Sequence, residues 1–215
     1  MRKRVFKALT AAGFAAITSI CTGAAQAEPA RILVLGDSIA AGYGLAADEA
    51  FPARLESHLR RAGHEVRVID AGVSGDTTAG GFARLDWALA DRPHIVIVEL
   101  GGNDGLRGIA PQATRANLDA ILARLKARGP RVLLTGMLAP PNLGAEYGRA
   151  FDAIYPELAA KYGVALYPFV LDGVAAQPDL NQRDGIHPNA RGVAVMVDRI
   201  APYVVRLLDT PKDGG

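Results

Sequence analysis

The chain reads as an α/β protein built on an open parallel sheet, and three observations predict that class. Five short apolar runs recur along it, at 31–35, 66–71, 94–100, 131–135 and 164–167. They are continuous rather than alternating, as parallel strands covered on both faces require. Stretches with helical spacing separate them, so strand and helix alternate and the crossovers are right-handed. No internal repeat, low-complexity segment or linker interrupts the series.

The elements follow in order. Ile32-Leu33-Val34-Leu35 runs directly into Gly36-Asp37-Ser38-Ile39-Ala40-Ala41-Gly42-Tyr43-Gly44, so a buried strand ends in a glycine turn that lifts one hydroxyl off the sheet. Phe51, Leu55 and Leu59 recur at helical steps, with Arg54, Glu56, Arg60 and Arg61 outside the stripe and Gly63 closing it. The second strand ends at Gly72, and a less regular helix is expected over 78–91. The third strand runs into Gly101-Gly102-Asn103-Asp104. Leu118, Ile121, Leu122 and Leu125 form a helical stripe closed by Gly129-Pro130. A further helix is expected over 147–162. A long loop carrying Asp184-Gly185-Ile186-His187-Pro188 follows the fifth strand. Asn189 can cap a last helix bearing Val193, Met196, Val197, Ile200, Val204 and Leu208, with a bend expected at Pro202 and a frayed tail over 212–215.

Residues 1–27 stand apart. Arg2, Lys3, Arg4 and Lys7 accompany a mostly apolar stretch of 13 residues over 8–20, too short to span a bilayer comfortably. Ala25-Gln26-Ala27 has the small-x-small pattern of a signal-peptidase site. Residues 1–27 are therefore expected to be a cleaved secretory signal and 28–215 a single domain, periplasmic or secreted. An uncleaved anchor is the alternative. A lipoprotein site at Cys21 is disfavoured, because Ile20 stands where a small residue is expected.

Of the 24 Lys and Arg, four fall in 1–27, which holds no acidic residue; the remainder carries 20 basic against 22 acidic side chains. The full chain's +2 therefore becomes −2, and no basic surface points to nucleic acid as a partner. The only cysteine, Cys21, lies in the signal, so neither disulfides nor thiol chemistry are expected. The 188 residues that remain are enough for one hydrophobic core. No second segment is apolar enough to insert stably in a membrane, and nothing demands more than a monomer.

In an open α/β sheet, sites form at the carboxyl ends of the strands. Ser38, Gly72 and Asn103 follow the first, second and third strands, and Asp184 and His187 come from the loop after the fifth. A serine hydroxyl is a poor nucleophile without a base. His187 is the natural base, since imidazole titrates near neutrality. Asp184, three residues earlier, can reach its other ring nitrogen. The Ser38 and Gly72 N–H groups and the Asn103 amide are placed to receive an oxyanion, glycine at 72 allowing close approach to the substrate.

Each residue alone has a plainer reading. A serine in a glycine turn usually caps or turns, Asn103 can cap a loop, and Asp-Gly at 184–185 is a turn signal. It is their agreement at one sheet edge that points to catalysis. Asp37 and Asp104 read as local caps. His58 and His64 read as solvated, His94 opens a strand, and no metal-ligand spacing appears. The 36–44 loop lacks the Gly-Lys-Ser/Thr ending of a phosphate-binding loop.

These residues resemble the SGNH (GDSL) hydrolase family, whose four blocks are named for Ser, Gly, Asn and His and match Ser38, Gly72, Asn103 and His187. The strings GDSIAAGYG, GVSGDTTAGG, ELGGNDGLRG and DGIHPNARG are similar to its branch of multifunctional periplasmic acyl-CoA thioesterase/lysophospholipase/protease enzymes and related arylesterases. The likeness runs from about residue 31 to 205. It implies a three-layer α/β/α, flavodoxin-like domain, a triad of Ser38, Asp184 and His187, and an oxyanion hole of Ser38, Gly72 and Asn103. It also implies that the segment 137–144 lines the acyl site. There Met137, Leu138 and Pro140 would form one apolar wall, and Leu106 and Ile109 the facing one.

The resulting expectation is a cofactor-free serine esterase/thioesterase acting through an acyl-enzyme on small or medium acyl groups: aryl esters, acyl-CoA and lysophospholipid-type substrates. One rival keeps the triad but deacetylates a cell-envelope carbohydrate. Another is a non-catalytic flavodoxin-like binding module.

Overall fold

The computed structural model of the chain describes residues 28–210. The expected signal at 1–27 and the tail at 212–215 lie outside the described residues. Five parallel strands, β1 (Ala30–Gly36), β2 (Val66–Gly72), β3 (Ile95–Glu99), β4 (Arg131–Thr135) and β5 (Ala165–Tyr167), form one sheet in the order β2-β1-β3-β4-β5. No strand end departs from its expected position by more than one residue. β3 is buried along its whole length, and β1 and β4 are buried beyond their first residues, which explains their unbroken apolar runs. Edge strand β2 instead exposes Arg67 and Asp70.

Among the described residues eight α-helices connect or flank the strands: α1 (Phe51–Arg61), α2 (Thr78–Ala83), α3 (Leu85–Ala88), α4 (Gly102–Leu106), α5 (Pro111–Arg128), α6 (Ala145–Asp152), α7 (Ile154–Tyr162) and α8 (Ala190–Asp209). α1 packs on α8, while α5 packs on α2, α6 and α7, so the sheet lies between two helical layers in a three-layer α/β/α arrangement. Helix α1 buries Phe51, Leu55 and Leu59. Each such fully buried apolar side chain contributes about 1.5–3 kcal/mol. Helix α5 ends where Gly129, at φ 83°, turns the chain left-handed and returns its N–H to the Leu125 carbonyl. The Asn189 side chain accepts from Arg191 and Gly192 N–H at the start of α8, and the helix carries Pro202 in its interior.

Two helices expected as continuous are broken. Over 78–91 the chain makes α2, α3 and a 3₁₀ turn at Leu89–Asp91. The break falls at Arg84, whose guanidinium donates to the Gly36 and Ala71 carbonyls and to the Asp76 carboxylate. Over 147–162 the break falls between Asp152 and Ile154. Pro156 has no N–H to return to the Asp152 carbonyl four residues back, so one helix cannot run through.

The strand order reverses between β1 and β3. Gly36 pairs with Gly72 on one side and with Glu99 on the other. The chain leaving β1 and the chain leaving β3 therefore emerge side by side at the switch point, where α/β sheets bind their ligands.

Candidate active site

The serine turn forms because Gly36 has no side chain. A Cβ there would collide with the Glu99 carboxyl, which lies beneath the turn and accepts the Asp37 N–H at 3.2 Å. Asp37 Oδ1 accepts the Ile39 N–H at 3.0 Å, and Tyr43 N–H donates to the Ser38 carbonyl at 3.0 Å, curling the chain around Ser38. The Ser38 N–H has no acceptor among the described residues.

The loop between β5 and α8 brings the imidazole. His187 Nε2 lies 2.9 Å from Ser38 Oγ, across 149 residues of sequence. His187 Nδ1 lies 2.7 Å from Asp184 Oδ2. The Asp184 Oδ1 atom accepts the backbone N–H groups of Ile186 at 2.9 Å and His187 at 3.0 Å. These bonds, the His187 backbone N–H first, hold the Asp184 carboxyl down at about 2, so it is ionised throughout the working range of a histidine base.

Asn103 enters from the first turn of α4. Its Nδ2 donates to Asp37 Oδ2 at 3.0 Å, leaving one amide hydrogen for another acceptor. Asp37 is thus more than the local cap its position suggests. It is 2% exposed, and burial raises its carboxyl to about 6 against the pull of Ile39 and Asn103. Burial, and then the Asp37 charge, lifts Glu99 well above the usual carboxylate range. Glu99 Oε1 has no partner among the described residues, as suits a neutral acid. Asp104 departs from its expected local role altogether. It accepts from the Thr78 N–H and hydroxyl at the start of α2 and from the Thr114 hydroxyl of α5, tying three helices together.

Gly72 sits beside this turn, but its glycine has another cause than substrate approach: a Cβ there would strike the Ala40–Ala41 backbone. Its N–H donates to Asp70 Oδ1 at 2.7 Å. A cleft of about 190 Å³ opens over Ser38, Asn103 and His187. Leu106, Met137, Leu138 and Pro140 line it, and Ile109 does not. Ile109 is half-buried with its carbonyl bonded to the Tyr147 hydroxyl, so the facing wall consists of Leu106 without it. Phe169, Leu171 and Ile186 also line it, beside Ile39 and Gly102. Sequence reasoning missed all three, although Ile186, next to His187, had a positional signal. A wider depression of about 630 Å³ along α1 shares none of these residues.

A serine hydroxyl bonded to an imidazole over an apolar cleft, at the switch point of an open parallel sheet, is an arrangement suited to a hydrolase acting on ester bonds, and the protein is one of that class. The chain belongs to the GDSL-like lipase/acylhydrolase family, whose model matches residues 34–195. It is 42% identical to esterase TesA of Pseudomonas aeruginosa over 184 residues, covering 85% of this chain and 92% of that protein. It is also 42% identical to thioesterase 1/protease 1/lysophospholipase L1 of Escherichia coli over 179 residues, covering 83% of this chain and 85% of that one. Among solved structures, AlinE4, an SGNH-hydrolase family esterase, superposes with a TM-score of 0.72 at 51% identity, covering 86% of this chain and 99% of that chain.

Proposed function

We propose that the protein is a serine esterase/thioesterase with Ser38 as nucleophile, His187 as general base and Asp184 as its orienting carboxylate. The observation that carries this reading is the continuous relay from Asp184 through His187 to Ser38, at 2.7 and 2.9 Å. The Asp184 carboxylate accepts Nδ1–H and so leaves Nε2 with its lone pair toward the Ser38 hydroxyl. As Ser38 Oγ bonds to the acyl carbon, its proton passes to Nε2 and the carbonyl electrons move onto oxygen. The Ser38 N–H and the free amide hydrogen of Asn103 receive that charge, with Gly72 sharing its N–H between Asp70 and the oxyanion. His187 then returns the proton to the leaving alcohol or thiol. Water, deprotonated by the same imidazole, releases the acid from Ser38.

The relatives are named as esterase and as thioesterase/lysophospholipase. The walls of Leu106, Met137, Leu138, Phe169, Leu171 and Ile186 suit a small or medium acyl chain, so aryl esters, acyl-CoA and lysophospholipid-type esters are the proposed substrates. Trp87, 76% exposed on α3, is absent from the cleft lining, which leaves the carbohydrate-deacetylase reading without a tryptophan platform. Among the described residues no helix is long and apolar enough to cross a membrane. We read the protein as an exported, periplasmic or secreted monomer, to be checked by the N-terminal mass of the mature chain and by its sedimentation.

Ser38→Ala is expected to lower kcat by on the order of 10⁴-fold or more without changing the fold. Intact turnover of p-nitrophenyl acetate by that variant would remove the nucleophile assignment. Measuring kcat/KM across acyl lengths, oxygen esters beside thioesters, ranks the proposed substrates.

A further inference from the structure

The relay depends on two loops that reach the site from opposite ends of the chain, and the second is exposed. The Asp184 side chain is 38% exposed, and Arg183, Asp184, Gly185 and Ile186 are all at the surface. The internal bonds of this loop orient His187 relative to Asp184 but not relative to Ser38. Something else has to hold the imidazole against the serine turn.

We infer that Gln182 and Tyr43 form a clasp that sets the distance between His187 and Ser38, so that both are positioning residues for the proposed hydrolysis. Gln182 Nε2 donates to the Tyr43 carbonyl at 2.6 Å, across 139 residues of sequence, and to the Pro188 carbonyl at 3.0 Å. The Gln182 backbone N–H donates to the His187 carbonyl at 2.7 Å. One side chain thus grips the carbonyl of His187's neighbour while its own main chain grips His187. On the other side, Tyr43 N–H is bonded to the Ser38 carbonyl, so the clasp ends on the nucleophile itself. The Tyr43 ring completes the grip: its centroid lies 4.6 Å from that of His187, with the planes at 38°. Space for the amide is reserved by Gly44, where φ is +73° and a Cβ would collide with Gln182 Oε1.

The chemistry of the clasp makes the roles separable. The bonds to the Tyr43 and Pro188 carbonyls use the two hydrogens of a single amide nitrogen, which a carboxylate of the same shape lacks. No hydrogen bond reaches the Tyr43 hydroxyl among the described residues, so the ring, not the phenol, is what matters.

The test rests on Ser38 being the nucleophile and is built to keep the two ideas apart. Gln182→Glu, Gln182→Leu, Tyr43→Phe, Tyr43→Ala and Ser38→Ala are compared by kcat, KM, Tm and the rate at which a small fluorophosphonate labels Ser38. A displaced reactive group of about 1 Å costs on the order of 10²-fold, so both Gln182 variants are expected to lose ~10- to 100-fold in kcat and in labelling rate, with KM held within about 3-fold. Tyr43→Ala is expected to lose ~10-fold, and Tyr43→Phe to restore the rate. A merely structural role would lower Tm and leave the labelling rate of the folded protein intact. Labelling and kcat at the parental level in both Gln182 variants, with Ser38→Ala inactive, overturns the clasp alone. An active Ser38→Ala overturns the mechanism beneath it.

Discussion

The site is assembled from two arms built by opposite means, and its two aspartates record the difference. Asp37, behind the serine and the Asn103 amide, is buried beside Glu99, and burial raises its carboxyl to about 6. Asp184, behind the histidine, is exposed on its loop, and backbone hydrogen bonds hold its carboxyl at about 2. The serine arm thus owes its geometry to the core, which fixes it firmly but charges a carboxylate in an apolar place. The histidine arm owes its geometry to a local turn, with Gly185 at φ 71°, which costs the core nothing but leaves the arm to be secured from outside. Rigidity by burial and rigidity by local bonding are therefore used within one relay.

That contrast can be broken by substitution, beginning with the largest effect after Ser38. Asp184→Asn is expected to reduce kcat by about 10⁴-fold by allowing the wrong imidazole tautomer, while lowering Tm only modestly, because the carboxylate's stabilising bonds are made by an exposed side chain. Steady-state kinetics beside a thermal melt checks both halves, and a large fall in Tm would erase the distinction between the arms. Asn103→Ala is expected to cost roughly 10²–10³-fold in kcat. In this variant stability must fall too, by about 1–3 kcal/mol, because the buried Asp37 carboxylate loses its amide donor. An unchanged kcat would remove Asn103 from the oxyanion hole.

The smallest effects sharpen the comparison through pH. Folding raises the Asp37 carboxyl from 3.8 to about 6, so the folded protein binds that proton more tightly than the unfolded chain. Its effect on stability is therefore favourable at low pH and is lost as pH rises from about 4 to about 6. Asp37→Asn should accordingly shrink the difference in Tm between pH 4 and pH 7, as denaturation at the two pH values will show. Asp184 has the reverse sign. Its folded carboxyl is lowered, so its contribution is present above about pH 4 and declines as pH falls toward 2. In catalysis, a protonated Asp37 accepts more weakly from Asn103. Glu99, Asp76 and His187 are the other titratable groups that face it. As pH falls through about 6, kcat/KM should then fall further in the parent enzyme than in Asp37→Asn, since only the parent loses a charged acceptor for Asn103. Equal falls in the two proteins would separate Asp37 from the reaction.

Much of this was legible before any coordinate. The strands announced themselves because a sheet covered on both faces needs unbroken apolar runs, and Ser38, Asn103, Asp184 and His187 stood out because all four fall at one sheet edge, although each alone has a structural use. The geometry brings those four together. Other residues had no such signature. Glu99 read as the end of a strand, and its place under the serine turn depends on pairing with Gly36. Ile109 looked as suitable for the cleft as Leu106, but the path of the chain after α4 turned it aside. Arg84 and Pro156 broke helices that the sequence had offered only as less regular ones. Phe169 and Leu171 are apolar residues like many others, marked out only by where the loop after β5 folds back.

By itself, then, the amino-acid order determined the layers, the parallel sheet and the chemical inventory of the site, because each of these follows from local periodicity or from the reactivity of single side chains. Tertiary structure alone decided that Asp37 would be buried, that Asp104 would join three helices, and that Gln182 would meet Tyr43. Those outcomes depend on which backbones lie side by side, and hydrogen bonds between residues from 10 to 139 positions apart leave no trace in local spacing.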